Sequence, residues 1–478
     1  MQTVENYKDA LNKPRIIRIG GRELTSPREH PQLRLGVAAN ERFYEYGHSK
    51  SFQNIRLLNN ENKKQAKHPF FDICKNYQDI AYCGNLIDSM QKQFHGLFTR
   101  SPDYKGAFVT CFKTNAAHFG EFEKNALKWQ DLIATKLPVL THAFVAPSSW
   151  GSTDLQLDRG LKIVSRDSSG ITVRGLKAVS TGATAAQYVY VRDSIKTEKT
   201  IQGLSFIIDI STPGLKLICS PGLDPNDDTV AGISDPISNF IAENDTMLLF
   251  DDVFVPYKNI LCAEELDPSR WARQHYGFVE RARFHGVIRC INKLKTILGF
   301  LVVATPRMKP GGVQTKEIIA KVELALQILG ALKEKMVNHP TKNDNNEYIP
   351  NTSASAAAYV IAPNLFSDIR ASLTKNFAGQ LISIPDHSTG LTDDELENLW
   401  GENASRETFD MSVGYIRGLK ELVLGNFGLR QELFEANYLG NTDYALMDLF
   451  KYVKTSPETV ETIRRSQEIF SNPLISNN

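Results

Sequence analysis

The hydrophobic period of the chain changes twice along its length, and this constrains the fold more than any other feature. Phe70, Ile73, Tyr77, Ile80 and Leu86 recur at helical spacing, which predicts a helix with one buried stripe. A second helical segment is expected from residue 106 to 137, stopped by Pro138. Between about 139 and 268 the pattern becomes that of short strands. Residues 161–164, 170–175, 188–191, 204–210 and 247–255 are rich in β-branched and aromatic types, with Gly, Pro, Asp and Ser between them. Helical spacing returns over 280–304, where Pro306 and Pro310 are expected to end the helix, and again over 315–337, 354–381 and 402–424. Helices, then strands, then helices make an α+β chain, not an alternating parallel-sheet one. The expected units are a mostly helical N-terminal domain (1–138), a middle β-barrel domain (139–268) and a C-terminal helix bundle (269–478).

Charge and length then exclude whole classes of function. Across 478 residues, 55 Lys and Arg oppose 54 Asp and Glu, a formal net charge of +1. No basic excess exists to hold a phosphate backbone, so nucleic acid is not an expected partner. The polar start MQTVENYKDALNK has no apolar signal segment. The longest apolar run, 297–304, is less than half of the roughly 20 residues that cross a bilayer. The six cysteines show no C-x-x-C spacing, as expected of reduced thiols in a cytoplasmic protein with no disulfide framework and no metal site.

The chain contains no G-x-G-x-x-G, no G-x-x-x-x-G-K-[ST], no H-E-x-x-H and no G-x-S-x-G. It therefore carries no nicotinamide or nucleoside-triphosphate fingerprint of its own. Gly20-Gly21 reads as a turn. Asp251 and Asp252 are adjacent in a strand-like run, where neighbours face opposite ways, so a shared proton is not expected. In Thr99-Arg100-Ser101-Pro102-Asp103-Tyr104, Pro102 suits a first helical turn with Ser101 as its N-cap. That places Arg100 and Tyr104 four residues apart at one helix start. His142 lies in the apolar run 140–145. On spacing alone these three residues are candidates and no more.

Blocks in register along most of the chain resemble the oxygenase component of two-component 4-hydroxyphenylacetate 3-monooxygenases and their chlorophenol-hydroxylating relatives. They are Gly20-Gly21-Arg22-Glu23 with His30-Pro31, Thr99-Arg100-Ser101-Pro102-Asp103-Tyr104, Asn115-Ala116-Ala117-His118-Phe119-Gly120, Leu140-Thr141-His142-Ala143, Val173-Arg174-Gly175-Leu176-Lys177, Ser180-Thr181-Gly182-Ala183, Glu243-Asn244-Asp245 and the run 250–256. The resemblance implies an acyl-CoA dehydrogenase-like fold and a homotetramer. It implies an oxygenase that takes reduced FAD from a separate flavin reductase and uses O2 to hydroxylate a para-substituted phenol beside its OH, giving a catechol. It also implies that Arg100, Tyr104 and His142 contact the phenolic oxygen. His142 is then the general base, Arg100 the electrostatic stabiliser and Tyr104 the orienting group. Thr181 matches a position near the flavin ring.

After the matched histidine the family commonly reads Asn-Pro-Gln-x-Asp-Arg, whereas this chain has Ala146-Pro147-Ser148-Ser149-Trp150-Gly151. Pro147, Ser148 and Trp150 are accordingly its cofactor-side candidates, with Trp150 available to stack on the flavin. Phenol specificity is expected from segments 202–214, 221–225 and 384–388. The alternatives are a binding or assembly subunit that has lost flavin, and an acyl-CoA dehydrogenase-type flavoenzyme, for which no catalytic carboxylate stands out. An iron–sulfur dehydratase of the same superfamily is disfavoured, since Arg100 and Tyr104 stand where two ligating cysteines would be needed.

Overall fold

The computed structural model describes residues 1–57, 68–145, 160–196, 199–220, 236–308, 312–384, 390–401, 405–434 and 442–470. Ten strands carry the middle of the molecule: β1 (Ile16–Ile19), β2 (Arg22–Leu24), β3 (Leu140–Ala143), β4 (Lys162–Arg166), β5 (Gly170–Lys177), β6 (Tyr188–Lys196), β7 (Ile201–Asp209), β8 (Leu215–Cys219), β9 (Thr246–Pro256) and β10 (Ile260–Leu266). They form a six-stranded sheet, β2-β1-β8-β9-β5-β4, and a four-stranded sheet, β10-β7-β6-β3.

No closed barrel forms among the described residues; the β zone is a pair of open sheets packed face to face. Ile171, Val173, Leu217, Leu248 and Phe250 from the first sheet share one core with Val189, Val191, Leu204, Phe206 and Ile208 from the second. Alternating side chains give each sheet one apolar face, and burying two such faces together suffices without closure. The N-terminal segment feeds the first sheet, because β1 pairs in parallel with β8. Gly20 and Gly21, at φ 55° and 75°, close the β1–β2 hairpin with the two left-handed residues that suit the strand twist. Asp251 and Asp252 part company as expected: Lys216 binds the first and Arg174 the second.

Three helical expectations need correction. The stretch 106–137 is not one helix. It is two short helices (Gly106–Val109, Cys111–Thr114), a tight turn at Ala116–Phe122 and a helix at Glu123–Lys136. Gly120 at φ 58° breaks the run, for the Arg270 guanidinium would lie 2.0 Å from any Cβ there. The helix Phe278–Met308 continues past Pro306, which falls in its last turn. The first apolar stripe enters its helix only at Tyr77, where the Asn76 side chain accepts the Asp79 N–H.

The C-terminal helices Phe278–Met308, Val313–Asn338, Thr352–Ile382 and Arg406–Val423 share a continuous core with the N-terminal helices. Phe43, Leu86, Phe108, Ile288, Leu329 and Leu373 all belong to it. Strand β3 sits between the two cores. Its Ala143 faces the sheet–sheet core, while Leu140 joins the helical one and His142 packs against Phe108, ring centroids 5.4 Å apart. The fold therefore delivers His142 to the seam where helices meet sheet.

Candidate active site

The turn Pro102–Lys105 is a short 3-10 helix, and it brings the two aromatic-site candidates of its segment together. Arg100 lies over the Tyr104 ring at 4.4 Å from guanidinium carbon to centroid, a cation–π contact in a buried setting. From the sheet side, the His142 ring stacks on Tyr104 with centroids 6.1 Å apart and 29° between planes. Tyr104 is thus the shared neighbour of Arg100 and His142. Ser101 holds the N-cap position as expected, but its side chain makes no cap hydrogen bond; its hydroxyl accepts from Gln91 Nε2 at 3.1 Å.

Arg100 is held through its backbone. The Glu243 carboxylate accepts the N–H of Arg100 at 2.8 Å, and the N–H and hydroxyl of Thr99 at 2.9 and 2.5 Å. Arg430, on the helix Asn426–Phe434, stands 3.7 Å from Glu243 and binds Asp245 through two nitrogens at 2.9 and 3.0 Å. Burial pushes the Asp245 carboxyl up, but the Arg430 charge and hydrogen bonds outweigh it and hold the group below its usual range. One buried charge network therefore joins a C-terminal helix, the segment before β9 and the Arg100 backbone.

Thr181 completes that network, donating its hydroxyl to Asp245 at 2.6 Å. The turn carrying it is pinned to β3 at three points: Thr141 Oγ1 lies 2.9 Å from Ser180 Oγ, it donates to the Thr181 carbonyl at 2.9 Å, and Ser180 Oγ donates to the His142 carbonyl at 3.2 Å. Beside this turn lies a narrow cleft lined by Gly36, Arg100, Thr141, Thr181, Gly182 and Glu243 among others. A Cβ on Gly182, where φ is 72°, would meet nothing within 4 Å, so the turn is open on that side.

Tyr104 lines a neighbouring small cavity together with Asp103 and His285, which pair with each other at 3.0 Å. His142 lines neither of these two spaces. Its Nδ1 is 3.2 Å from Lys105 Nζ. Desolvation, and then the charges of Lys105 and Arg100, push the His142 imidazolium well below its ordinary value. The imidazole is accordingly neutral.

Pro147, Ser148 and Trp150 lie outside the described residues, as do 221–225 and 385–388. Segment 202–214 proves to be most of β7 and its turn into β8, with Leu204 and Phe206 buried in the sheet–sheet core. Sequence reasoning missed three residues. Lys105 directly follows Tyr104 and was legible only as part of that run. Glu243 belongs to a block of the resemblance, but its hold on Arg100 had no signal. Arg430 had none at all, because it reaches the site from more than 180 positions away. Among the described residues, no three His, Cys, Asp or Glu side chains converge as a metal site, and no helix is long and apolar enough to cross a membrane.

Comparison with known proteins bears on this arrangement. Residues 3–262 match the family described as 4-hydroxyphenylacetate 3-hydroxylase N terminal, and 272–462 match its C-terminal counterpart. The chain is 27% identical to a 4-hydroxyphenylacetate 3-monooxygenase oxygenase component of Pseudomonas aeruginosa, over 94% of this chain and 88% of that one. It is 25% identical to the oxygenase component of a 4-nitrophenol 2-monooxygenase of a Rhodococcus species, over 95% and 89%. A crystal structure of a 4-hydroxyphenylacetate 3-monooxygenase oxygenase component complexed with FAD superposes with a TM-score of 0.84 at 23% identity, covering 98% of this chain and all of that one.

Proposed function

Because the chain belongs to the 4-hydroxyphenylacetate 3-hydroxylase family, we propose that it is the oxygenase component of a two-component aromatic hydroxylase. It takes reduced FAD from a separate flavin reductase and places one atom of O2 ortho to the hydroxyl of a para-substituted phenol, yielding a catechol. The observation that carries this reading is the grouping of Arg100 and His142 about the Tyr104 ring, beside a cleft that Arg100 and Thr181 line. The lack of a nicotinamide fingerprint supports the division of labour with a reductase.

A free phenol has a pKa of about 10, so at neutral pH its ring is in the less electron-rich neutral form. In our reading the phenolic oxygen lies at Arg100 and His142. The guanidinium favours the anion electrostatically, and each pKa unit gained is worth about 1.4 kcal/mol. His142, kept neutral, takes the proton, while the Tyr104 hydroxyl orients the oxygen. Bound FAD, once reduced, supplies the chemistry with O2; the chain binds, orients and moves protons. Thr181 Oγ1 has already given its proton to Asp245, so toward a flavin ring nitrogen it can act only as an acceptor from N–H. Arg100 and the small residues around Gly182 would flank the ring, and Pro147, Ser148 and Trp150 are proposed to complete the cofactor's surroundings.

We also propose the three units 1–138, 139–268 and 269–478, the first lending its β1–β2 hairpin to the sheet. Exposed apolar side chains on the last helices, among them Tyr444, Phe450, Val453, Val460 and Ile463, make a surface that a monomer leaves uncovered only at a cost. Assembly as a homotetramer would cover it. The direct test is incubation of purified protein with a para-substituted phenol, a flavin reductase, FAD and oxygen-18 gas. A catechol bearing one labelled atom supports the reading; oxygen consumption with no labelled catechol from any para-substituted phenol overturns it.

A further inference from the structure

Lys105 is only 1% exposed, yet among the described residues it has no carboxylate partner within ion-pair distance. The contrast is Lys177, equally buried but 3.3 Å from Asp193. The hydrogen bond that Lys105 does make is to His142 Nδ1, at 3.2 Å. Its Nζ is 5.3 Å from the centroid of the Tyr104 ring, on which Arg100 also lies. Charged and titratable groups facing it are Arg100, Asp103 and Tyr104 from its own turn, His142 from β3, and Glu243 from the segment before β9. Burial, and then the Arg100 charge, push the Lys105 ammonium well below its ordinary value, with Glu243 and Asp103 opposing.

The two ring nitrogens of a neutral imidazole carry one proton between them. If Lys105 were a permanent ammonium donating to Nδ1, that proton would sit on Nε2, and His142 could not act as a base there. If Lys105 is a neutral amine, Nδ1–H donates to it and the Nε2 lone pair is free. The base role of His142 therefore depends on what Lys105 can accept.

We propose that Lys105 is a positioning residue acting through His142, which receives the substrate proton by relay. The phenol O–H bond breaks as Nε2–H forms, and Nδ1–H breaks as Nζ–H forms. The imidazole ends neutral in its other tautomer, Lys105 ends as an ammonium, and the phenolic oxygen carries the negative charge. The reverse transfer restores the proton when product leaves. This inference rests on the reading that the phenolic oxygen sits at His142.

The test is binding of 4-hydroxyphenylacetate to the flavin-free protein near neutral pH, with two readouts. Ultraviolet difference absorption reports phenolate, and calorimetry in buffers of different ionisation enthalpy counts protons released. The relay predicts phenolate in the wild-type complex with no net proton release, because the proton stays on Lys105. Lys105→Met should lower the phenolate-to-phenol ratio at least about tenfold, one unit of pKa. Lys105→Arg, a fixed cation, should form phenolate but expel one proton to solvent. One proton released by the wild type, or undiminished phenolate in a folded Lys105→Met, overturns the proposal, and the wild-type count needs no variant to fold. If phenolate is lost in His142→Ala but kept in Lys105→Met, the relay alone fails. If both variants keep it, the placement of the phenol at His142 fails as well.

Discussion

The Glu243 carboxylate accepts the backbone N–H of Arg100 at 2.8 Å, so a residue of the β zone sets the position of a cation on a helical turn. Arg430 in turn faces Glu243 and clamps Asp245. The placement of the cation thus depends on three parts of the chain at once.

Removing one member of that buried network leaves the others uncompensated. Arg430→Met should cost about 3 kcal/mol or more, read as a lower denaturant midpoint, and should reduce catechol formed per O2 consumed. A variant of wild-type stability would show that the network does not bear on the fold.

Arg100→Ala should lower hydroxylation by about two orders of magnitude, the scale of losing one well-placed electrostatic contact at a reacting oxygen, while oxygen uptake continues without product. Arg100→Lys keeps a charge but loses the flat guanidinium that stacks on Tyr104, and should recover only part of the rate. Coupled turnover by Arg100→Ala at the wild-type rate would remove Arg100 from the proposed role.

Thr181→Val deletes both the donor to Asp245 and the acceptor offered to a flavin N–H. Anaerobic titration with reduced FAD should show binding weakened about fivefold, the worth of roughly one hydrogen bond. Thr181→Ser should bind as the wild type does. Equal affinity for all three proteins would place the flavin elsewhere.

Stability should fall in mild acid. Burial is the largest cause holding the His68, His142 and His275 imidazoliums well below their ordinary value. The unfolded chain protonates them near pH 6.5, so below that pH it binds more protons than the folded one. Their contribution is full above about pH 6.5 and is lost as pH falls toward the depressed folded values. The slope reaches up to about 4 kcal/mol per pH unit if all three titrate together. Denaturant unfolding at several pH values checks this; a flat profile between about 7.5 and 5.5 contradicts it.

Much of this was legible in the sequence because periodicity is local. The strands at 170–177, 188–196 and 246–256 and the long C-terminal helices follow directly from residue spacing. Sheet closure is not a local property: nothing in β3 or β10 says whether an edge finds a partner, so an expected barrel became two open sheets. Helix continuity over 106–137 failed for a similar reason. Composition there is helical, but Gly120 takes a left-handed conformation at a point where Arg270, 150 positions later, leaves no room for a Cβ. In the site, Arg100, Tyr104 and His142 were visible through family blocks. Their supports were not, since Glu243, Arg430 and Lys105 act through contacts that spacing does not encode.

The central claim is that an ionised phenol is held at Arg100 and His142. Carbon-13 NMR of a bound para-substituted phenol, labelled at its hydroxyl-bearing carbon and observed near neutral pH, tests it most directly. The account predicts the phenolate chemical shift in the wild-type complex and a return to the neutral-phenol shift in Arg100→Ala and His142→Ala. A neutral-phenol shift in the wild-type complex would contradict it.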